Sequence, residues 1–291
     1  MQPSLSALQE WLSSRLDIPV STMAILPVAG GSINRSFCLE INEGQRFFCK
    51  INEELAFPGL FLREEEGLEL LARRSQVRVP QVIGVGHLEG QQILVLEWIQ
   101  TGQESESFWK LFGRQLALQH EETGAGFGLD EDNWMGSLPQ SNRFLPSWLE
   151  FFTQQRLEPQ LRRPVDQHFL NSRDVLQFQR LYGRLAGIFP DLPPALVHGD
   201  LWSGNYLCDE KEQPVLIDPA AYFGHPSVDL GMTTLFGRFH PSFYSAYNEV
   251  SPLPSNHSEQ WAVSNLYPLL IHVNLFGGRY VPMVRKTIAK F

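Results

Sequence analysis

Three polar side chains at fixed separations, each beside an apolar run, constrain this chain more than any other feature. His198-Gly199-Asp200-Leu201-Trp202-Ser203-Gly204-Asn205 carries an Asp and, five positions on, an Asn; Asp218, in Ile217-Asp218-Pro219, follows thirteen later. Short β pieces are expected at 195–197, 206–208 and 215–217, where they would hold these groups still. Gly, Asp, Ser and Asn also build ordinary turns, but an ordinary turn needs neither the spacing nor the apolar flanks. His198, directly after Ala-Leu-Val, reads as a structural histidine that braces the loop.

Around this loop the chain divides into unlike parts. Leu5, Leu8, Trp11, Leu12 and Leu16 recur at helical spacing over 4–16. Strands are expected at 23–28, 36–41 and 46–51, the last two joined by a hairpin turn at Asn42-Glu43-Gly44. A helix over 60–74 and two strands, at 82–87 and 92–98, complete a β-rich first third. The polar stretch Gln100-Thr101-Gly102-Gln103-Glu104-Ser105 reads as a connection. Helical periodicity then dominates, at 108–120, 146–158, 174–189, 229–236 and 259–276. The expected fold is α+β and two-lobed, with a mostly-β lobe at 1–98 and a larger, mostly-α lobe at 99–291.

The spacing of Asp200, Asn205 and Asp218 matches the protein-kinase pattern of H-x-D-x-x-x-x-N followed by a metal-binding Asp. A phosphoryl acceptor needs a carboxylate beside its hydroxyl, and ATP needs Mg²⁺ on hard oxygen ligands. Asp200 fits the first role, and Asn205 with Asp218 the second. Gly30, Gly31, Ser32 and Asn34 form a glycine-rich turn that could let backbone N–H groups approach phosphates; a plain hairpin turn would look the same. Lys50, in the apolar strand Phe47-Phe48-Cys49-Lys50-Ile51, requires an anionic partner or a route to water. Glu64 is the candidate partner, because it shares a helix face with Leu68 and Leu71. Glu97, Trp98 and Ile99 would lead into a hinge whose backbone could bind adenine. Asp229 opens a helix, either as its N-cap or as a brace under the loop.

With 43% hydrophobic and 19% charged residues, the 291-residue chain is an ordinary globular protein, and its net charge of -9 argues against nucleic-acid partners. Cys38, Cys49 and Cys208 form no paired motif and suit a reducing cytoplasm. No signal peptide and no bilayer-spanning run is read from the sequence.

Together these segments resemble the fructosamine kinases, or ketosamine-3-kinases, within the aminoglycoside and choline kinase-like superfamily. Gly30-Gly31-Ser32-Ile33-Asn34, Phe61-Leu62-Arg63-Glu64, the 197–205 string, Ile217-Asp218-Pro219-Ala220, Tyr222-Phe223-Gly224-His225, Asp229-Leu230-Gly231-Met232 and Asn274-Leu275-Phe276-Gly277-Gly278 carry the likeness. It implies ATP-dependent phosphorylation of the sugar moiety of small-molecule or protein-bound ketosamines, followed by release of the free amine, a deglycation. It also implies Asp200 as base, Asn205 and Asp218 as Mg²⁺ ligands, and Lys50 as a phosphate contact paired with Glu64. Trp202, Tyr222, Phe223 and Tyr280 are candidates for the sugar pocket. Ser32 stands where some members of the family carry a cysteine. Kinases of aminoglycosides, choline or other alcohols are the alternative, and a catalytically silent nucleotide-binding module is a further one.

Overall fold

The computed structural model describes residues 3–29, 34–42 and 44–291. Strands β1 (Met23–Pro27), β2 (Arg35–Ile41), β3 (Gln45–Glu53), β4 (Val82–Leu88) and β5 (Gln91–Glu97) form an antiparallel sheet in the order β1-β2-β3-β5-β4. Helix α1 (Leu5–Leu16) covers one face and α2 (Leu60–Arg74) the other. Strand alternation decides what each face receives. Phe47, Cys49 and Ile51 join Leu8 and Leu12 of α1 in one apolar cluster, and Phe48 packs with Leu60, Phe61 and Leu68 of α2. Lys50 falls on the α2 face by the same alternation, which is how a lysine comes to be buried beside a helix glutamate.

The second part begins with α3 (Glu106–Gln119) and a small hairpin, β6 (Asn133–Met135) and β7 (Leu138–Gln140). Next come α4 (Trp148–Phe151), a π-helical turn at Phe152–Leu157, α5 (Glu158–Asp166), α6 (Ser172–Tyr182) and α7 (Leu185–Ile188). Two short antiparallel pairs frame the polar loop: β8 (Ala195–Val197) with β11 (Tyr222–Gly224), and β9 (Tyr206–Cys208) with β10 (Pro214–Leu216). Helices α8 (Ser227–Met232), α9 (Pro241–Val250), α10 (His257–Ser264), α11 (Leu266–Phe276) and α12 (Val281–Ile288) finish the chain. The helices expected at 174–189 and 259–276 are each two, divided near Gly183 and at Asn265. Helix α9, not expected, lies so close to α3 that a Cβ on Gly113 would fall 2.2 Å from the Phe243 carbonyl oxygen. Among the described residues, no helix is long and apolar enough to cross a membrane.

One ion pair fastens the C-terminal helix to this frame. Asn171 accepts from the Asp174 N–H at 3.2 Å, Asp174 accepts from the Asn171 N–H at 2.9 Å, and Arg285 of α12 grips both Asp174 oxygens at 2.9 and 2.8 Å. The Arg285 hydrogen bonds, opposed by burial and helped by the Asn171 N–H, hold the Asp174 carboxyl below its ordinary range. A depressed folded-state pKa gives stability that is present above about pH 4 and fades as the pH falls further. Asp174→Asn should therefore cost about 1–2 kcal/mol at neutral pH. Urea unfolding at pH 7 and pH 3 checks this: the gap between variant and wild type should be smaller at pH 3, and a gap of equal size at both would refute it.

Candidate active site

The loop after β8 is shaped by what lies beneath it. Asp229, fully buried in the first turn of α8, accepts from the backbone N–H of His198 through Oδ2 at 2.7 Å and of Gly199 through Oδ1 at 2.9 Å. Its Oδ2 also lies 3.1 Å from Nε2 of His120, whose Nδ1 is 2.8 Å from the Tyr247 hydroxyl. The helix begins at Ser227 after Pro226, so Asp229 is not its N-cap. Of the two readings open in the sequence, the brace is the one the geometry provides.

His198 is equally internal. Its Nδ1 accepts from the Asp200 N–H at 3.3 Å and its Nε2 faces the Ile217 carbonyl at 2.9 Å, so the proton resides on Nε2. Burial, opposed by the Asp229 charge, lowers its pKa and keeps the ring neutral. The imidazole thereby ties the Asp200 end of the loop to the residue before Asp218. Gly199 closes the turn at φ +86°, and a Cβ there would sit 2.1 Å from the Ala220 oxygen. Only glycine meets both demands.

From this frame Asp200 enters a cleft of about 420 Å³ between the sheet and the helical part. Asn205 Nδ2 donates to the Asp200 carboxylate at 2.9 Å and to its carbonyl at 2.8 Å. Lys50 Nζ lies 2.6 Å from Glu64 Oε1 and 2.5 Å from Asp218 Oδ1. Asp218 itself has a left-handed backbone, φ +55°. Burial disfavours the Lys50 ammonium, but the Asp218 and Glu64 charges outweigh it and raise its pKa. Burial, aided by the Asp218 charge, pushes Asp200 up to about 7. Glu64 is likewise pushed up to about 7 by burial against the pull of Lys50. Lys50 pairs with two carboxylates and Asp200 adds a third acid to the same cleft, so the one ammonium does not balance them.

The other residues singled out in the sequence separate into two groups. Asn34, Trp202 and Tyr280 line the cleft. Tyr222 does not: it is 1% exposed, its ring under the Arg156 guanidinium at 4.1 Å and beside Phe151. Phe223 packs in the α3 core cluster with Arg74 over its ring. The β8–β11 pairing buries both rings, which corrects their placement in a sugar pocket. Glu97 lies at the end of β5, salt-bridged to Arg78, with Trp98 and Ile99 following; none of the three lines the cleft. Gly30, Gly31 and Ser32 lie outside the described residues.

Sequence reasoning missed several lining residues. Arg63, Phe236, His272 and Phe276 are among them, and so is the β6–β7 hairpin from Asn133 to Gly136. The Met-Gly-Ser-Leu turn, with Gly136 at φ +62°, was the available signal for that hairpin.

The fructosamine kinase family model matches residues 4–291. The chain belongs to the fructosamine kinase family. A Synechocystis sp. protein named "probable ketoamine kinase" is 39% identical, over 90% of this chain and 88% of its own. The chloroplastic protein-ribulosamine 3-kinase of Arabidopsis thaliana is 37% identical, over 87% of this chain and 78% of its own. The crystal structure of a Thermobifida fusca protein, provisionally named a fructosamine-3-kinase, superposes with a TM-score of 0.88 at 32% identity, covering 98% of both chains. A type I macrolide 2'-phosphotransferase shares the fold alone, with a TM-score of 0.63 at 17% identity over 100% of this chain and 98% of that one. This member of the fructosamine kinase family is an ATP-dependent phosphotransferase with the two-lobed kinase-like fold.

Proposed function

We propose that the protein transfers the γ-phosphate of ATP to a sugar hydroxyl of a ketosamine, free or protein-bound, and so acts in deglycation. Residues 1–98 serve as the ATP-binding lobe and 99–291 as the catalytic and acceptor-binding lobe. The observation that carries this reading is the meeting of Asp200, Asn205, Asp218, Lys50 and Glu64 in one cleft walled by Trp202, Phe236, Phe276 and Tyr280. Aromatic faces suit the C–H faces of a sugar, and the polar groups suit a phosphate.

Asp200 orients the acceptor hydroxyl and takes up its proton. The Asn205 amide fixes the Asp200 carboxylate, so that one oxygen is held and the other is free to meet the hydroxyl. Lys50, steadied by Glu64, neutralises charge on the phosphates. The donor set fits Mg²⁺: the Asn205 amide has its Nδ2 committed to Asp200, which leaves Oδ1, and Asp218 adds a carboxylate. Two protein oxygens are what Mg²⁺ commonly takes beside substrate phosphates. When bound, the ion would supply the positive charge the site lacks. Ser32, Gly30, Gly31 and Asn34 would cover the phosphates, and the backbone at Glu97, Trp98 and Ile99, beyond the lining of the 420 Å³ cleft, would meet the adenine. The three cysteines are free and buried, which supports a cytoplasmic location.

ATP consumption in Mg²⁺ across fructosyl-, ribulosyl- and erythrulosyl-amines, with aminoglycosides and choline alongside, tests the substrate. Turnover with a ketosamine, and release of free amine afterwards, is the expected result. Turnover with the other alcohols alone would overturn the ketosamine reading.

A further inference from the structure

The β6–β7 hairpin belongs by sequence to the helical part, yet it touches both carriers of the Lys50 ion pairs. At its base, Asn133 Nδ2 donates to the Ala221 carbonyl at 3.0 Å. Gln140 Nε2 donates to Asn133 Oδ1 at 2.7 Å and to the Ala220 carbonyl at 3.3 Å. Asn142 Nδ2 donates to Asn133 Oδ1 at 2.9 Å, and Asn142 in turn accepts from the fully buried Arg156 at 2.7 Å. All of these polar side chains are buried, and they converge on carbonyls two and three residues beyond Asp218. On its outer side the hairpin meets α2, where Trp134 packs against the cluster of Leu60, Phe61 and Leu68. Trp134 also lies edge-on to Phe57, in the turn before α2, with ring centroids 6.1 Å apart, and Glu131, two residues before β6, pairs with Arg63 at 3.2 Å, one residue before Glu64. Helix α2 also rests directly on the Asp218 segment, where a Cβ on Gly67 would meet Pro219 at 3.4 Å.

We propose that the β6–β7 hairpin is a strap that fixes Asp218 and α2 against each other, with Asn133 as its positioning residue. Asn133 lines the cleft wall, but both ends of its amide are committed to Ala221, Gln140 and Asn142, so in this scheme it positions the site and makes no polar contact with nucleotide or metal. It sets the backbone that carries Asp218, and the strap's far side holds the helix that carries Glu64. The Asn133, Gln140 and Asn142 amides each have their donors and acceptors paired, and satisfied buried polar groups of this kind specify one arrangement; such outer partners tune a metal site without touching it. The Lys50–Glu64–Asp218 constellation is then assembled permanently rather than on activation. The inference rests on the proposed metal role of Asp218.

The test measures AMP-PNP affinity by calorimetry, with and without Mg²⁺, so that no acceptor is needed. Asn133→Ala should lose about tenfold of the affinity gained from Mg²⁺ and keep the metal-free affinity; a merely structural defect would lower both or neither. Asp218→Asn is the reference. If it loses the Mg²⁺ gain and Asn133→Ala does not, the strap is refuted. If Asp218→Asn keeps the gain, the metal reading of the site fails, and the strap fails with it. Should Asn133→Ala not fold, hydrogen exchange on Trp134→Leu replaces it. Faster exchange in both 60–67 and 217–221 is expected, and faster exchange confined to the hairpin would overturn the proposal.

Discussion

Asp200→Asn should lower kcat by about a thousandfold or more while leaving nucleotide affinity within about twofold, since the carboxylate acts on the acceptor proton and not on ATP. The substitution is nearly isosteric. An amide oxygen can still accept from Asn205, so the loop should keep its shape and the loss should be chemical. The same variant carries a second, opposite signature. Burial and the Asp218 charge push Asp200 up to about 7, well above the ordinary carboxylate range. Between about pH 4 and pH 7 the folded protein thus holds a proton that the unfolded chain has released, and wild-type stability falls as the pH rises through that window. Asparagine has no such titration. In metal-free buffer, Asp200→Asn should therefore be more stable than wild type at pH 8, by on the order of 2 °C in Tm, with the advantage shrinking toward pH 5. Steady-state kinetics and thermal melts at the two pH values check both parts. Near-normal kcat would remove Asp200 from the base role. A stability difference that grew toward acid pH would show that its environment is not the one described.

What could be read from the sequence was what local periodicity controls. Alternation along β3 put Lys50 opposite Cys49 and Ile51, and the 3.6-residue period of α2 put Glu64 on the face of Leu68 and Leu71. Two short-range patterns thus brought together side chains that lie 2.6 Å apart. The spacing of 198–218 worked similarly, because short strands on either side of the loop translate separation in sequence into position. Tyr222 and Phe223 were misplaced because residue type was used where pairing decides: β11 lies against β8, inside the core. The hairpin at 133–140 was missed because its strands are three residues each and its anchors, Ala220, Ala221 and Arg156, are distant in sequence. Helix α9 was missed for a related reason. Its segment Pro-Ser-Phe-Tyr-Ser-Ala-Tyr-Asn-Glu-Val is rich in weak helix formers, and packing on α3 overrides that preference.

Asp229→Ala should be the most destabilising single change at the site, at about 3–5 kcal/mol. It removes no apolar surface of note; the cost comes from what is left behind. The N–H groups of His198 and Gly199 and the Nε2 of His120 all point at its two oxygens, in a place with no solvent. Deleting the carboxylate strands each of them. Asp229→Asn should not be a full rescue. Oδ2 serves both His198 and His120, and Oδ1 serves Gly199, so whichever way the amide turns, its NH₂ meets a donor. A loss of roughly half that of the alanine variant is expected for asparagine, since one acceptor survives. Urea unfolding orders the three proteins, and kcat measured on the folded fraction adds a second axis. Because the loop backbone hangs from Asp229, Asp200 should drift from its working position in both variants, and kcat should fall even where folding is complete. An alanine variant within about 1 kcal/mol of wild type would mean that the loop is held by the β8–β11 pairing and Gly199 alone. A destabilised variant with unchanged kcat would separate the brace from the chemistry, and would leave His198, through its two hydrogen bonds to Asp200 and Ile217, as the residue that sets the position of the base.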